Sequence, residues 1–153
     1  MGQKNRVGDL PSESLAQTKN KYKDCSVEIS KKFVYKRDIF IEADRLHMTK
    51  LFINILDNAY QSFNNKKGAL SIEIKQRRKT NQILLKFKDD GCGINKNDLP
   101  QVFDPFFTQK SKRTGLGLTL CNQLVNVHNG KMEIASEKGR GTTVEVLLPI
   151  KQV

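Results

Sequence analysis

The sequence predicts an α+β domain in which short strands form one sheet and amphipathic helices cover one of its faces. Three observations carry that reading. Apolar and polar residues alternate in several short runs, which is the period of a half-buried strand. Two longer stretches instead place apolar residues at three- and four-residue steps, the period of a helix with one buried face. The 153 residues, 37% apolar and 28% charged, suit one core and one domain.

In order, residues 1–20 are polar, carry Gly2, Gly8 and Pro11, and show no sustained period. They read as a linker or tail, which leaves 21–153 as the folded domain. Val27 and Ile29, then Ile39 and Ile41, alternate with polar neighbours and mark two short strands. Asp44 is placed to cap a helix. Along it Met48, Leu51, Phe52, Ile55, Leu56, Ala59 and Phe63 form one apolar stripe, closed by a turn over Asn64–Gly68. Leu70, Ile72 and Ile74 mark the next strand, and Ile83, Leu85 and Phe87 its hairpin partner, with Arg77, Arg78 and Lys79 at the tip. Residues 91–115 have no period and are punctuated by glycine and proline, the mark of a long functional loop. A second helix runs from about Leu116 to His128, with Gly130 placed to end it. Met132–Ala135 and Thr143–Leu148 supply the last two strands.

Lys and Arg number 27 against 16 Asp and Glu, a net charge of +11 that calls for an anionic partner. A nucleic acid is disfavoured, because no basic stripe interleaved with aromatics is present. No apolar run approaches the ~18–20 residues of a membrane span, and no apolar segment follows the first residues as in a secretory signal. Cys25, Cys92 and Cys121 are odd in number and far apart, which suits plain thiols in a reducing cytoplasm.

Four local patterns carry chemistry. Asn54 and Asn58 lie one helical turn apart on one face, and a neutral amide oxygen suits Mg²⁺ when phosphates complete its shell. Asp89-Asp90-Gly91-Cys92-Gly93-Ile94 follows a strand directly, so a carboxylate and two glycines sit where backbone can approach a ligand. Such a carboxylate accepts a hydrogen bond from an exocyclic amine. Thr114-Gly115-Leu116-Gly117-Leu118 opens the second helix, where amide groups and the helix dipole attract an anion. It is neither a Walker A loop nor a dinucleotide fingerprint. Between them, Phe103, Phe106 and Phe107 stand in a polar loop and need something to cover, with Lys110 beside them as a cation.

Taken in order, Asn-x-x-x-Asn, Asp-x-Gly-x-Gly, Phe-x-Pro-Phe-Phe, Gly-x-Gly and Gly139-Arg140-Gly141-Thr142 closely resemble the ATP-binding catalytic domain of bacterial sensor histidine kinases. The resemblance covers about residues 22–150. It implies a two-layer α/β sandwich with a mixed, mostly antiparallel sheet, helices on one face and a long ATP lid, as in the Hsp90, gyrase and mismatch-repair ATPases. It implies Asn58 as the Mg²⁺ ligand, Asn54 and Lys110 as catalytic groups on the phosphates, and Asp89 on the adenine amine. Gly91, Gly93 and Ile94 would shape the pocket floor, and Thr142 would lie near the adenine. Residues 95–114 would form the lid, anchored by Phe103, Phe106 and Phe107, and Thr114, Gly115, Leu116, Gly117 and Leu118 would hold the phosphates.

Two positions depart from the pattern. Arg113 stands where a glycine often opens the third motif, and Gln61 stands where some relatives place a lysine. The family's phospho-accepting histidine is missing, since His47 and His128 lack its His-Glu context. The implied activity is therefore transfer of the γ-phosphate of Mg-ATP to a histidine on a separate dimerisation domain, with a response regulator downstream. The parent kinase would be a cytoplasmic or membrane-anchored homodimer, and the isolated domain a monomer. The alternative is a conformational ATPase of the same superfamily. Against it, the position four before Asn58, where the gyrase-like ATPases hold a glutamate as general base, is Asn54, an amide of no useful basicity.

Overall fold

The computed structural model describes residues 3–7, 9–34, 39–101 and 115–150. In chain order the elements are β1 (Gln3–Arg6), α1 (Asp9–Lys21), β2 (Ser26–Val34), β3 (Phe40–Ala43) and α2 (Arg45–Ser62). Next come β4 (Lys67–Arg77), β5 (Gln82–Asp89), α3 (Gly115–Val127), β6 (Lys131–Glu137) and β7 (Gly141–Pro149). Five strands form one sheet in the order β2-β4-β5-β7-β6, while β1 and β3 form a separate antiparallel pair.

Only β2 and β4 run parallel; the other neighbours are antiparallel. A parallel pair needs a long crossover, and β3 with α2 provides it. Alternation then decides which side is buried. Register places Ile72, Phe87, Val144 and Ile134 in one cross-strand row, and Ile74, Leu85, Val146 and Met132 in the next. Both rows face the helices, and Phe52 of α2 meets Phe87 with ring centroids 5.8 Å apart. The opposite face carries Glu73, Lys86, Glu145 and Glu133 in register.

Helix α2 starts where the sequence predicts. The Asp44 carboxylate accepts from the His47 amide at 3.1 Å, satisfying a donor that the helix itself leaves open. All seven residues of its expected stripe are buried, from Met48 at 0% to Phe63 at 8% exposure. Ala59 apart, each of these side chains contributes about 1.5–3 kcal/mol by leaving water. Helix α3 packs antiparallel to α2: Cys121 meets the Leu51 carbonyl, and His128 meets the amide of Asp44. Its end differs in detail from expectation. Asn129 takes the left-handed turn at φ 59°, and Gly130 serves close packing instead, since a Cβ there would lie 2.4 Å from the Leu147 carbonyl oxygen.

The segment expected as a linker over 1–20 requires correction. It contains β1, paired with β3 from Gln3↔Ala43 to Arg6↔Phe40, and nearly all of α1. Val7 and Leu15 are each 2% exposed within the core. The helical period was hidden because the buried face of α1 is largely polar or small. Ser14 and Thr18 are buried at 0% and 2%, and the Thr18 hydroxyl satisfies itself on the Ser14 carbonyl at 2.8 Å. Side chains this short let α1 approach α2 closely. Lys21 then ties the end of α1 to Asp57 of α2 at 3.2 Å, and Tyr22 stacks on Tyr60 at 4.9 Å.

No helix among the described residues is long and apolar enough to cross a membrane. None of the three cysteines is in a disulfide, and burial pushes the Cys121 thiol up to about 12.

Candidate functional site

Where the C-terminal half of α2 passes the ends of β5 and β7, the two layers part and leave a cleft. Ile55, Asn58, Ala59 and Ser62 of α2 form one wall; Phe87, Asp89, Thr142 and Val144 form the other. Cys92, Gly93 and Ile94 close it from the loop after β5, and Leu118 from the first turns of α3. Most of the lining is apolar, so the few polar groups decide what fits.

Asp89 is the chief of these. At 8% exposure it is held by three donors to Oδ1: the Gly91 amide at 2.9 Å, the Thr142 amide at 3.2 Å and the Ser62 hydroxyl at 3.4 Å. None among the described residues reaches Oδ2, which is left for a ligand. Burial raises the Asp89 carboxyl above its ordinary range, with the Gly91 and Thr142 amides and the Ser62 hydroxyl opposing. A buried carboxylate with one oxygen tied down and one open suits a neutral donor such as an amine.

Asn58 lies on the α2 wall. Its Nδ2 is buried and has no hydrogen-bond partner. A buried amide group left unpaired costs free energy unless a ligand completes it, which makes this position the second anchor of the cleft. No group of three His, Cys, Asp or Glu able to hold a metal occurs among the described residues. The amide oxygen of the same Asn58 side chain is a hard, neutral donor of the kind that adds to Mg²⁺ already bound by phosphates.

The loop glycines stand where only glycine fits, but against protein. Gly93 has φ 72°, and a Cβ there would lie 2.1 Å from the Glu137 carbonyl oxygen. Gly141 has φ 114°, and its Cβ would lie 2.0 Å from the Asp89 carbonyl oxygen. These contacts seat the Asp89 loop on the β6–β7 turn, supported by Gly139 N–H to the Cys92 carbonyl at 2.7 Å. Gly91 backs onto Ser62 and does not line the cleft, so its contribution to the expected pocket floor is indirect. Thr142 shares a 2.7 Å hydrogen bond with Ser136, whose hydroxyl also accepts from the Ile94 amide at 2.7 Å.

Of the expected site residues, Asn58, Asp89, Gly93, Ile94, Leu118 and Thr142 come together in this one cleft. Asn54 is half-buried one turn earlier and does not line it. Gly115, Leu116 and Gly117 form the first turn of α3, where amide groups lack helical acceptors. Phe107, Lys110 and Thr114 lie outside the described residues, as do Arg113 and residues 102–114 of the expected lid. Gln61 donates to the Tyr22 hydroxyl at 3.1 Å, outside the cleft. Ser62, Cys92 and Ser136 are additions that the motifs did not mark. Ser62 was within reach, because it follows Asn58 at four residues and so shares its face.

A cleft of this kind, between an Asn-bearing helix and an Asp-bearing strand end, defines a nucleotide-binding ATPase-like fold, and the chain belongs to the family of histidine kinase-, DNA gyrase B-, and HSP90-like ATPases, whose model matches residues 43–152. Histidine kinases are among its relatives. It is 39% identical over 110 residues to the signal transduction histidine-protein kinase AtoS of Escherichia coli, covering 72% of this chain and 18% of that protein. It is 32% identical over 126 residues to sporulation kinase C of Bacillus subtilis, covering 82% and 29%. Against the sensor protein kinase WalK of Staphylococcus aureus it is 33% identical over 124 residues, covering 77% and 30%. The chain thus spans less than a third of the length of these relatives. Its fold matches the mycobacterial sensor histidine kinase MprB at a TM-score of 0.83 and 21% identity, covering all of both chains. Full-length ShkA, solved in complex with AMPPNP, matches at 0.83 and 16% identity over 99% of this chain and 32% of that one.

Proposed function

We propose that this chain is the ATP-binding catalytic part of a sensor histidine kinase, and that it donates the γ-phosphate of Mg-ATP to a histidine on a separate dimerisation domain. The observation that carries the proposal is Asp89, held by Oδ1 and open at Oδ2, facing Asn58 across a mostly apolar cleft. An adenine base enters such a cleft edge-on and gives its amino group to Oδ2, while the flat apolar walls cover its faces. Asn58 and the phosphates would hold Mg²⁺, which would supply charge neutralisation. The amides of Gly115–Gly117 add to it at the start of α3.

Transfer rather than hydrolysis is supported by the residue one turn before Asn58 on α2. Asn54 offers no base to activate water, so the γ-phosphate waits for a nucleophile that needs little help, such as a neutral imidazole nitrogen. That nitrogen attacks phosphorus, the bond to the bridging oxygen breaks, and ADP leaves. His128 is unsuited as the acceptor, because Nδ1 meets the Leu124 carbonyl at 2.8 Å and Nε2 meets the Asp44 amide at 3.1 Å. The proposal assigns the acceptor to the dimerisation domain of the same kinase, a homodimer working in the cytoplasm or anchored beside it, with a response regulator receiver domain taking the phosphoryl group next. Mixing this chain with a matching dimerisation fragment and labelled ATP tests the proposal. Acid-labile label on the fragment is expected; binding of ATP without any such label would overturn it.

A further inference from the structure

We propose that Ser136 is a positioning residue that sets which base the cleft accepts, by making the Thr142 hydroxyl a second acceptor beside Asp89. The inference rests on the nucleotide reading of the cleft and concerns how its base end tells one base from another.

The two residues meet because strand register aligns them. Leu70, Asp89, Thr142 and Ser136 form one cross-strand row over β4, β5, β7 and β6. That row lies two residues from the row of Ile72, Phe87, Val144 and Ile134, and so on the same helix-facing side of the sheet. Asp89 and Thr142 line the cleft, whereas Ser136 does not. Its influence on a ligand therefore passes through Thr142.

Three groups meet the Ser136 hydroxyl. The Ile94 amide donates to its Oγ at 2.7 Å, the Gly141 carbonyl oxygen lies 3.0 Å away, and the Thr142 hydroxyl oxygen lies 2.7 Å away. A serine hydroxyl has one proton and two lone pairs. The Ile94 N–H can only donate, so it fills one lone pair. The Gly141 carbonyl can only accept, so it takes the proton. One lone pair is left for Thr142, whose hydroxyl must then donate to Ser136. This is the one proton arrangement that satisfies all three contacts, since the reverse direction leaves the Gly141 contact without a hydrogen.

With its proton spent on Ser136, Thr142 offers the cleft only lone pairs. Its amide donates to Asp89 Oδ1 at 3.2 Å, which holds Thr142 beside the carboxylate whose Oδ2 is open. The other hydroxyl of the cleft wall, Ser62, has both its acceptors within the protein, the Ala59 carbonyl at 2.6 Å and Asp89 Oδ1 at 3.4 Å. The base end of the cleft thus presents acceptors. An exocyclic amino group suits it, because one hydrogen goes to Asp89 and the other to Thr142. A base with no amino group there leaves both acceptors unpaired, which is costly out of water.

The test compares Mg-ATP with the Mg²⁺ complex of purine riboside triphosphate, which carries a hydrogen in place of the amino group. The readout is the Kd of the analogue divided by that of ATP within each protein, so a general loss of packing cancels. Thr142→Val removes the second acceptor and should lower this ratio about fivefold, the scale of one neutral hydrogen bond, through weaker ATP binding. Ser136→Ala frees the Thr142 proton to turn towards a ring nitrogen of the amine-free base. The ratio should fall about as far, here through better relative binding of the analogue. Should Ser136→Ala not fold, Ser136→Cys takes its place, since a thiol of similar shape is a poor acceptor. A ratio equal to wild type in either the Ser136 or the Thr142 variant, with the two ligands weakened in parallel, would make that residue purely structural and overturn the proposal. Failure of the wild type to bind Mg-ATP would instead sink the nucleotide reading, and this inference with it.

Discussion

Replacing Asp89 with asparagine separates what the carboxylate does for the ligand from what it does for the fold. Asparagine keeps an oxygen for the Gly91 and Thr142 amides, at 2.9 and 3.2 Å in the wild type, so the loop stays seated. It replaces Oδ2 with an NH₂ group, which meets the amino group of adenine donor to donor. The loss is one charge-assisted hydrogen bond, about 1.5–3 kcal/mol, or about 10–100-fold in Kd. Stability moves the other way. Burial raises the Asp89 carboxyl in the folded state, so the native protein holds this proton more tightly than the unfolded chain does. Stability from this group is then present at low pH and lost as pH rises from the ordinary carboxylate value through the raised one. The neutral variant lacks that loss. Calorimetric titration with Mg-ATP, alongside thermal melts near pH 4 and pH 7, should show weaker binding and a Tm at neutral pH equal to or above wild type. Unchanged affinity, or weaker binding explained by a lower Tm, would refute the reasoning.

Further outcomes follow from other residues. Asn58→Ala removes a buried donor without a partner, so Tm should hold within a few degrees while the Mg²⁺-dependent part of ATP affinity disappears; a persistent Mg²⁺ effect would move the cation elsewhere. Gly141→Ala places a Cβ 2.0 Å from the Asp89 carbonyl oxygen at φ 114°, and urea unfolding should register a cost of about 2–4 kcal/mol; less than about 1 kcal/mol would deny the tight seat. Leu15→Ala, in the segment that reads as a linker, should cost about 2–5 kcal/mol by the same measurement, whereas a true linker position would cost almost nothing.

How far the sequence can be read depends on where the burial is apolar. Helix α2 was legible to the residue, because its buried stripe is apolar and Asp44 caps it. The β4–β5 hairpin and β7 were legible for the same reason at period two. Helix α1 was not, since Ser14 and Thr18 occupy core positions that a hydrophobic pattern cannot register. Strand β1 was hidden too, being four polar residues held by backbone pairing with β3. In the site, motif order located Asn58, Asp89, Gly93 and Thr142, whereas the close packing of Gly91 and Gly93 against α2 and β6 needed the fold. The parallel β2–β4 pair also joins residues that no local pattern links.

Charge takes on a narrower meaning in this light. Among the described residues, exposed positive charge lies at hairpin tips and on strand faces, as at Lys75, Arg77, Arg78 and Lys88.

The central claim is that Asp89 reads the amino edge of adenine, and base discrimination tests it most directly. Guanine presents a carbonyl oxygen where adenine presents its amino group, and that oxygen would face the Asp89 carboxylate. Parallel titrations of the wild-type chain with Mg-ATP and Mg-GTP should give GTP a Kd weaker by about tenfold or more. Equal affinities for the two nucleotides would contradict the assignment.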